Sequence, residues 1–245
     1  MNFNYRRIFL LGFGFFGLSV IWSVYNAFVP IFLADRFDLS PALIGAFMTL
    51  DNIAALFIQP PVGAWSDRLR TRIGRRMPFV LAGAPVSAVA FGLIPLQAAL
   101  PLFVACTSTL ILSMALWRTP IVALMGDVTP SAHRSPANGI INFMGGIGTI
   151  IALQLGGLLY RQNPAFPFWF GSALVVLSAL LVLLFIRESN EYEAAAQEVN
   201  LRASLQHVLN EPDRSALRLL GAIFFWFVGY AAIEAFCQGD SAAPG

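Results

Sequence analysis

Asp51, Gln59 and Arg118 are the side chains in this sequence that most require a chemical explanation, because each sits inside a long, otherwise apolar stretch. A charge at the centre of a bilayer costs roughly 2.5–3.5 kcal/mol on insertion scales, so an ion at that depth needs a reason. Asp51, Ala55 and Gln59 are spaced i, i+4, i+8 and share one helix face, with Asn52 beside Asp51. A carboxylate there can take up and release a coupling proton or contact a substrate, or it can be an interhelical hydrogen-bonding group that specifies packing. Arg118 needs an acidic or carbonyl partner or a water-filled cavity; the competing reading is that its long stem snorkels to the inner interface. Trp22 and Asn26 stand i, i+4 and pair a flat ring with an amide. That pairing suits the C–H face and hydroxyls of a sugar, although aromatic stripes in such helices more often pack against neighbours or lipid. Asn142 and Gln154 are further candidates, and Glu234 faces either a cavity or the outer interface. No nucleophile–base pair or metal-ligand set emerges, and Cys106 and Cys237 lie in apolar segments without metal-ligand spacing. Enzymatic chemistry, a bound metal or cofactor, and a disulfide framework are all disfavoured.

The elements that must position these residues follow from composition. Of 245 residues, 58% are hydrophobic and 11% charged, with a mean hydropathy of +0.72. A soluble domain carries about 25% charged residues. Apolar windows near 8–34, 41–64, 77–96, 101–125, 138–160, 167–187 and 217–237 predict seven membrane-spanning helices, each near the roughly 20 residues a bilayer requires. Pro95 and Pro101 divide the window that begins at Met77 into two of these spans. The first apolar run is too long for a signal-peptide core and reads as an uncleaved span. With the N-terminus in the cytoplasm, inner loops hold twelve of the fifteen basic residues, leaving Arg36 and Arg161 outside and Arg118 within a span. The positive-inside bias selects that orientation, for a multi-pass protein of the plasma or inner membrane. The net charge of +2 gives no footprint for nucleic acid. Between 188 and 215, Leu201, Leu205, Val208 and Leu209 recur at helical spacing. They predict a short amphipathic helix on the inner surface, with a solvated linker as the alternative.

The loop GAWSDRLRTRIGRRMPFVLAG, residues 63–83, carries Gly63, Asp67 and Arg68, then Gly74, Arg75 and Arg76. That order resembles the signature between spans two and three of the major facilitator transporters. The long spacer with Arg70 and Arg72, followed by Pro78-Phe79, is similar to the glycoside–pentoside–hexuronide:cation symporters and the related sucrose–proton symporters. LDNIAALFIQPPVGAWSD and RTPIVALMGDVTPSAHRSPANGIINFMGG match in the same order, and the resemblance covers residues 8 to 235. It implies an all-α membrane fold: a six-helix N-terminal bundle over 1–187, a linker over 188–216, and over 217–245 a seventh, incomplete span that begins a second half. In the family the loop cluster latches the cytoplasmic ends of the two halves. Gly63 would permit close helix approach and Asp67 would hold arginines or a helix N-terminus, while plain topology would also keep the arginines inside. Asp127 and Arg134 mirror this arrangement after span four as a second latch. Melibiose-type members bind their coupling cation through two acids that align with Ala55 and Gln59; neither is kept here, which favours a proton over sodium, with Asp51 as its carrier. Gly145, Gly146, Gly148, Gly156 and Gly157 read as close helix contacts.

The resemblance implies twelve spans with the solute held between two halves near the midplane. CQGDSAAPG, at the end of the sequence, does not continue the pattern of span seven and reads as a truncated or shifted frame or a fragment. Three readings follow: half of a sugar:cation symporter awaiting its C-terminal half, a small transporter working as a dimer with a second copy, or a non-transporting membrane interaction protein. In each the lipid bilayer is a partner, and in the first two so is a small solute, expected to be a sugar.

Overall fold

Proline marks four helix starts: Pro41, Pro78, Pro101 and Pro167 each stand in a first turn, where a missing N–H costs nothing. The computed structural model describes residues 5–186, Glu188 and scattered positions between 214 and 229; at residues 51, 53, 54 and 131 it describes the backbone alone. Glu234 and, apart from Glu188, Arg214 and Ser215, the segment 188–215 with its expected helix lie outside the described residues. Those described form α1 (Tyr5–Asp35), α2 (Pro41–Met48), α3 (Leu50–Arg68), α4 (Met77–Leu93), α5 (Leu100–Val128), α6 (Arg134–Gln162) and α7 (Phe166–Phe185), with no strand among them. Five of these are long and apolar enough to cross a membrane: α1, α4 with the short 3-10 turn that follows it, α5, α6 and α7.

The second expected span is two helices rather than one. It breaks at Thr49, whose hydroxyl donates to the Gly45 carbonyl at 2.8 Å, the back-bonding that bends helices. Asp51 therefore stands in the first turn of α3 instead of mid-span. The apolar stretch that begins at Met77 divides where proline placed the break, between Leu93 and Leu100.

α1 is the hub, packing on α5, α6 and α7, while α4 packs on α5 and α7, and α3 on α5. Leu11, Val20, Ile21, Val24, Val29 and Leu33 are fully buried along α1. Phe168 meets Phe32 edge-on at 5.5 Å and Phe91 at 5.1 Å, closing the centre of the bundle. Against α1, α6 presents Gly145, Gly148, Ala152 and Gly156, spaced three, four and four and so on one face. Added Cβ atoms at the three glycines would lie 2.9 Å from Ser19 Oγ, 2.7 Å from Phe16 O and 3.1 Å from the Phe28 ring. Gly146 and Gly157, expected in the same contact, are rotated off that face and meet nothing within 4 Å. The α4–α5 contact is knit by a buried polar chain. Trp117 Nε1 donates to Ser87 Oγ at 3.0 Å, Ser87 Oγ to Ser113 Oγ at 2.8 Å, and Ser113 Oγ to the Leu110 carbonyl at 3.0 Å. Outward faces are apolar, with Leu56, Phe57, Val89, Ile150 and Leu184 all more than 60% exposed. That pattern is expected where lipid or another helical unit replaces water.

Candidate functional site

At one end of the bundle, residues 69–76 join α3 to α4. Gly74 has a φ of +114°, in the left-handed region. Its N–H donates to the Thr71 carbonyl at 3.2 Å, and the Thr71 hydroxyl donates back to the Gly74 carbonyl. A Cβ at position 74 would overlap Glu188 Oε2 and come within 2.7 Å of Glu188 Cβ. Both backbone angle and space therefore demand glycine.

The turn delivers Arg75 and Arg76 into a set of carboxylates. Arg76, only 4% exposed, donates from Nη2 to Asp67 Oδ1 at 2.8 Å and from Nη1 to Ser66 Oγ at 3.1 Å. Its Nε bonds Asp127 Oδ2, and its backbone N–H donates to Glu188 Oε2 at 2.9 Å. Arg75 Nη2 donates to Asp127 Oδ1 at 2.8 Å, with its Nε 3.5 Å from Glu188 Oε1. The two arginines thus tie together the ends of α3 and α5, the start of α4, and Glu188, three residues past α7. Two cations and three carboxylates leave one negative charge in excess at the N-terminus of α4, the sign that the helix dipole favours there. The pKa of Arg75 is raised: partial burial, the largest single influence, acts to lower it but is outweighed by the hydrogen bond and charge of Asp127 and the charges of Asp67 and Glu188. A raised folded-state value means this stabilisation is complete below the ordinary guanidinium pKa and is lost only above it, so it holds across the physiological range.

Several expectations about this end change. Asp127 belongs to the Arg75–Arg76 cluster and not to a separate pair with Arg134, which opens α6 and is exposed. Arg68 is exposed in the last turn of α3. A Cβ at Gly63 would sit 3.4 Å from Thr119 Cγ2, an ordinary contact, so the α3–α5 approach does not depend on that glycine. Glu188 is the member the sequence reading missed. Span parity places it on the same side as the loop, and that was the available signal.

The second constellation lies about 15 Å deeper, ten residues up α5 from its end at Val128. Trp22 of α1, Gln59 of α3, and Met114 and Arg118 of α5 line a cleft of about 20 Å³, room for one water-sized probe. The Arg118 guanidinium stands 5.8 Å from the centre of the Trp22 ring, within cation–π reach. Trp22 in turn stacks on Tyr25 at 6.0 Å and 17°. Among the described residues, carboxylates pair with Arg75 and Arg76, and none pairs with Arg118. Packing therefore gathers three of the polar residues singled out in the sequence. Asn26 is half-buried on α1 outside this lining, while Asn52 on α3 and Asn142 on α6 are exposed. The backbone of Asp51 lies eight residues, about 12 Å, along α3 from Gln59; its side chain lies outside the description. A larger cleft, about 500 Å³ between α4 and α5, is lined by Val86, Val89, Leu93, Leu102 and neighbours. Gln97 and Thr109 are its only polar side chains besides the Cys106 thiol, so it lacks the convergent polar groups that orient a solute.

Comparison with known proteins gives this arrangement a context. Residues 11–237 match a family model described as the Major Facilitator Superfamily. Lactose permease of Citrobacter freundii is 26% identical over 237 residues, covering 94% of this chain and 55% of the permease. Multidrug resistance protein 1 of Bacillus subtilis (strain 168) is 26% identical over 156 residues, 64% of this chain and 39% of that protein. Proton-associated sugar transporter A of Homo sapiens is 33% identical over 79 residues, 32% of this chain and 10% of that protein. The chain spans between 26% and 55% of the length of the first four curated relatives it matches.

Proposed function

Since the chain belongs to the major facilitator superfamily, we propose that its helices α1–α7 are the N-terminal half of a secondary transporter for a sugar-like solute, driven by a proton gradient. The observation that carries this is the meeting of Trp22, Gln59 and Arg118 from three different helices at mid-depth. A ring, an amide and a guanidinium are the few placed polar groups that a small-molecule site needs. The lactose permease match, which covers 94% of the chain, and the loop spacing around Gly74 support the sugar:cation branch. The second wall of the cavity would come from a C-terminal half or a second copy. In this reading the loop cluster faces the cytoplasm, where the density of arginine favours it, and steadies one end during alternating access. Asp51 is the proposed proton carrier, with sodium disfavoured.

Uptake of labelled sugars into proteoliposomes, with and without a pH gradient, tests the proposal. Gradient-driven uptake by the 245-residue chain alone would indicate a dimeric carrier. Uptake only on co-expression with a C-terminal six-span half would indicate a half-carrier. Silence in both preparations would sink the proposal.

A further inference from the structure

The cleft between α4 and α5, which lacks the groups that orient a solute, fits a different occupant. It runs from Leu93 to Pro85 on α4 and from Leu102 to Thr109 on α5, about 12 Å and about 10 Å at the helical rise per residue. Its polar side chains are turned back on their own chain: Thr109 Oγ1 donates to the Ala105 carbonyl at 2.8 Å, and Gln97 Nε2 to the Leu93 carbonyl at 3.0 Å. What the groove offers outward is therefore hydrocarbon, with Val89 63% and Leu102 57% exposed. Behind its deep end the buried Ser87–Ser113 hydrogen bond clamps α4 to α5. The hydrocarbon core of a bilayer is about 30 Å thick, so one leaflet supplies about 15 Å. The groove fits within a single leaflet, whereas a partner helix crossing the membrane would need a seam that runs through both.

The groove opens toward the end of the bundle opposite the Arg75–Arg76 cluster, and two side chains mark that end as headgroup level. Trp169, 45% exposed, donates from Nε1 to the Gly92 carbonyl at 3.1 Å, an amphipathic ring of the kind that collects at membrane–water interfaces. Arg36 donates from Nη1 to the Pro95 carbonyl at 2.7 Å, on the turn between the groove residues Leu93 and Gln97. Its guanidinium stands 5.8 Å from the centre of the Phe32 ring. Among the described residues no carboxylate pairs with it, its sequence neighbours Asp35 and Asp38 included. One carbonyl and one ring hold the exposed fork in place and leave N–H donors over, an arrangement suited to a phosphate. We propose that the α4–α5 groove is a phospholipid site, with one acyl chain lying along Val86, Val89 and Leu93 and the phosphodiester on Arg36. The site does not depend on which solute is carried. It also accounts for an arginine at the end of the molecule that the charge distribution otherwise leaves poor in them.

Native mass spectrometry of the 245-residue chain, released into detergent from nanodiscs of phosphatidylglycerol and phosphatidylcholine, counts the lipids that stay bound. One phospholipid is expected to persist at detergent concentrations that strip the rest. Val89→Trp and Ala105→Trp, which fill the groove from its two walls, should each abolish that retention. Leu184→Trp, a matched change on an exposed position at the loop end of α7, should leave it intact. Arg36→Gln should weaken retention about tenfold, the low end of what a charge-assisted hydrogen bond supplies. Diacylglycerol, which has the chains but no phosphate, should bind the unaltered chain as weakly as phospholipid binds the Arg36→Gln variant. Circular dichroism of every variant separates loss of lipid from loss of fold. No retained lipid, retention that survives both groove-filling changes, or an equal loss with Leu184→Trp overturns the groove assignment. A dimer that the groove-filling changes dissolve gives this face to a second copy and overturns it as well. Retention indifferent to Arg36→Gln overturns the phosphate contact.

Discussion

Arg76 and Arg118 are the same side chain in opposite settings. At the loop end, Arg76 is 4% exposed and every face of its guanidinium is occupied, by Asp67, Asp127 and Ser66. In the mid-depth cleft Arg118 is exposed and meets the flat of one indole. The first is neutralised within the fold, so its removal should be felt as instability. The second meets no carboxylate among the described residues, so on the proposed reading its removal should be felt in function more than in stability. Saturation by partners, more than burial, is what separates the two arginines. A buried ion is costly unless paired, which is why Arg76 is held by two carboxylates and a hydroxyl.

The sharpest way to break this contrast is Arg76→Ala. Loss of about 3 kcal/mol of unfolding stability in detergent is expected, the low end for removing one partner of a buried ion pair, because Asp67 and Asp127 can turn back to water. A change below 0.5 kcal/mol, the scale of an ordinary surface substitution, would place Arg76 in the same class as Arg118. Next comes Gly74→Ala, which should cost about 2 kcal/mol through positive-φ strain and displacement of Glu188. Adding Glu188→Ala should cost less than the sum of the two single changes, a coupling that a double-mutant cycle reads directly. Ser87→Ala leaves Trp117 Nε1 without its acceptor in a buried site and should cost about 1–2 kcal/mol by the same unfolding assay. Smallest is Arg118→Gln, for which melting in detergent should move by no more than the loss of one exposed cation–π contact, about 0.5–1 kcal/mol. A larger loss would show that the cleft arginine is structural after all.

Much of this could be read from the chain before folding, for identifiable reasons. The apolar windows found the long helices because bilayer thickness sets their length directly. Trp22, Gln59 and Arg118 each stood out by type, since polar groups are expensive at that depth. Their convergence did not stand out, because α1, α3 and α5 meet through packing that no local pattern encodes. The break at Thr49 escaped notice because it turns on a single hydroxyl returning to Gly45. The α6 glycines show the opposite failure: helical period alone separates Gly145, Gly148 and Gly156 from Gly146 and Gly157, and reading them as one group ignored it. Glu188 was placed on the correct side by span parity, but that it docks against Gly74 depends on how closely the α7 end approaches the loop.

That docking has a consequence for how the sequence is free to vary. Glu188 Oε2 occupies the volume in which any side chain at position 74 would begin, while accepting the backbone N–H of Arg76. Two sites more than a hundred residues apart therefore share one small space and behave as one heritable character. A lineage that enlarges position 74 must shrink position 188 in the same step, and one that loses the carboxylate releases the glycine from half of its constraint.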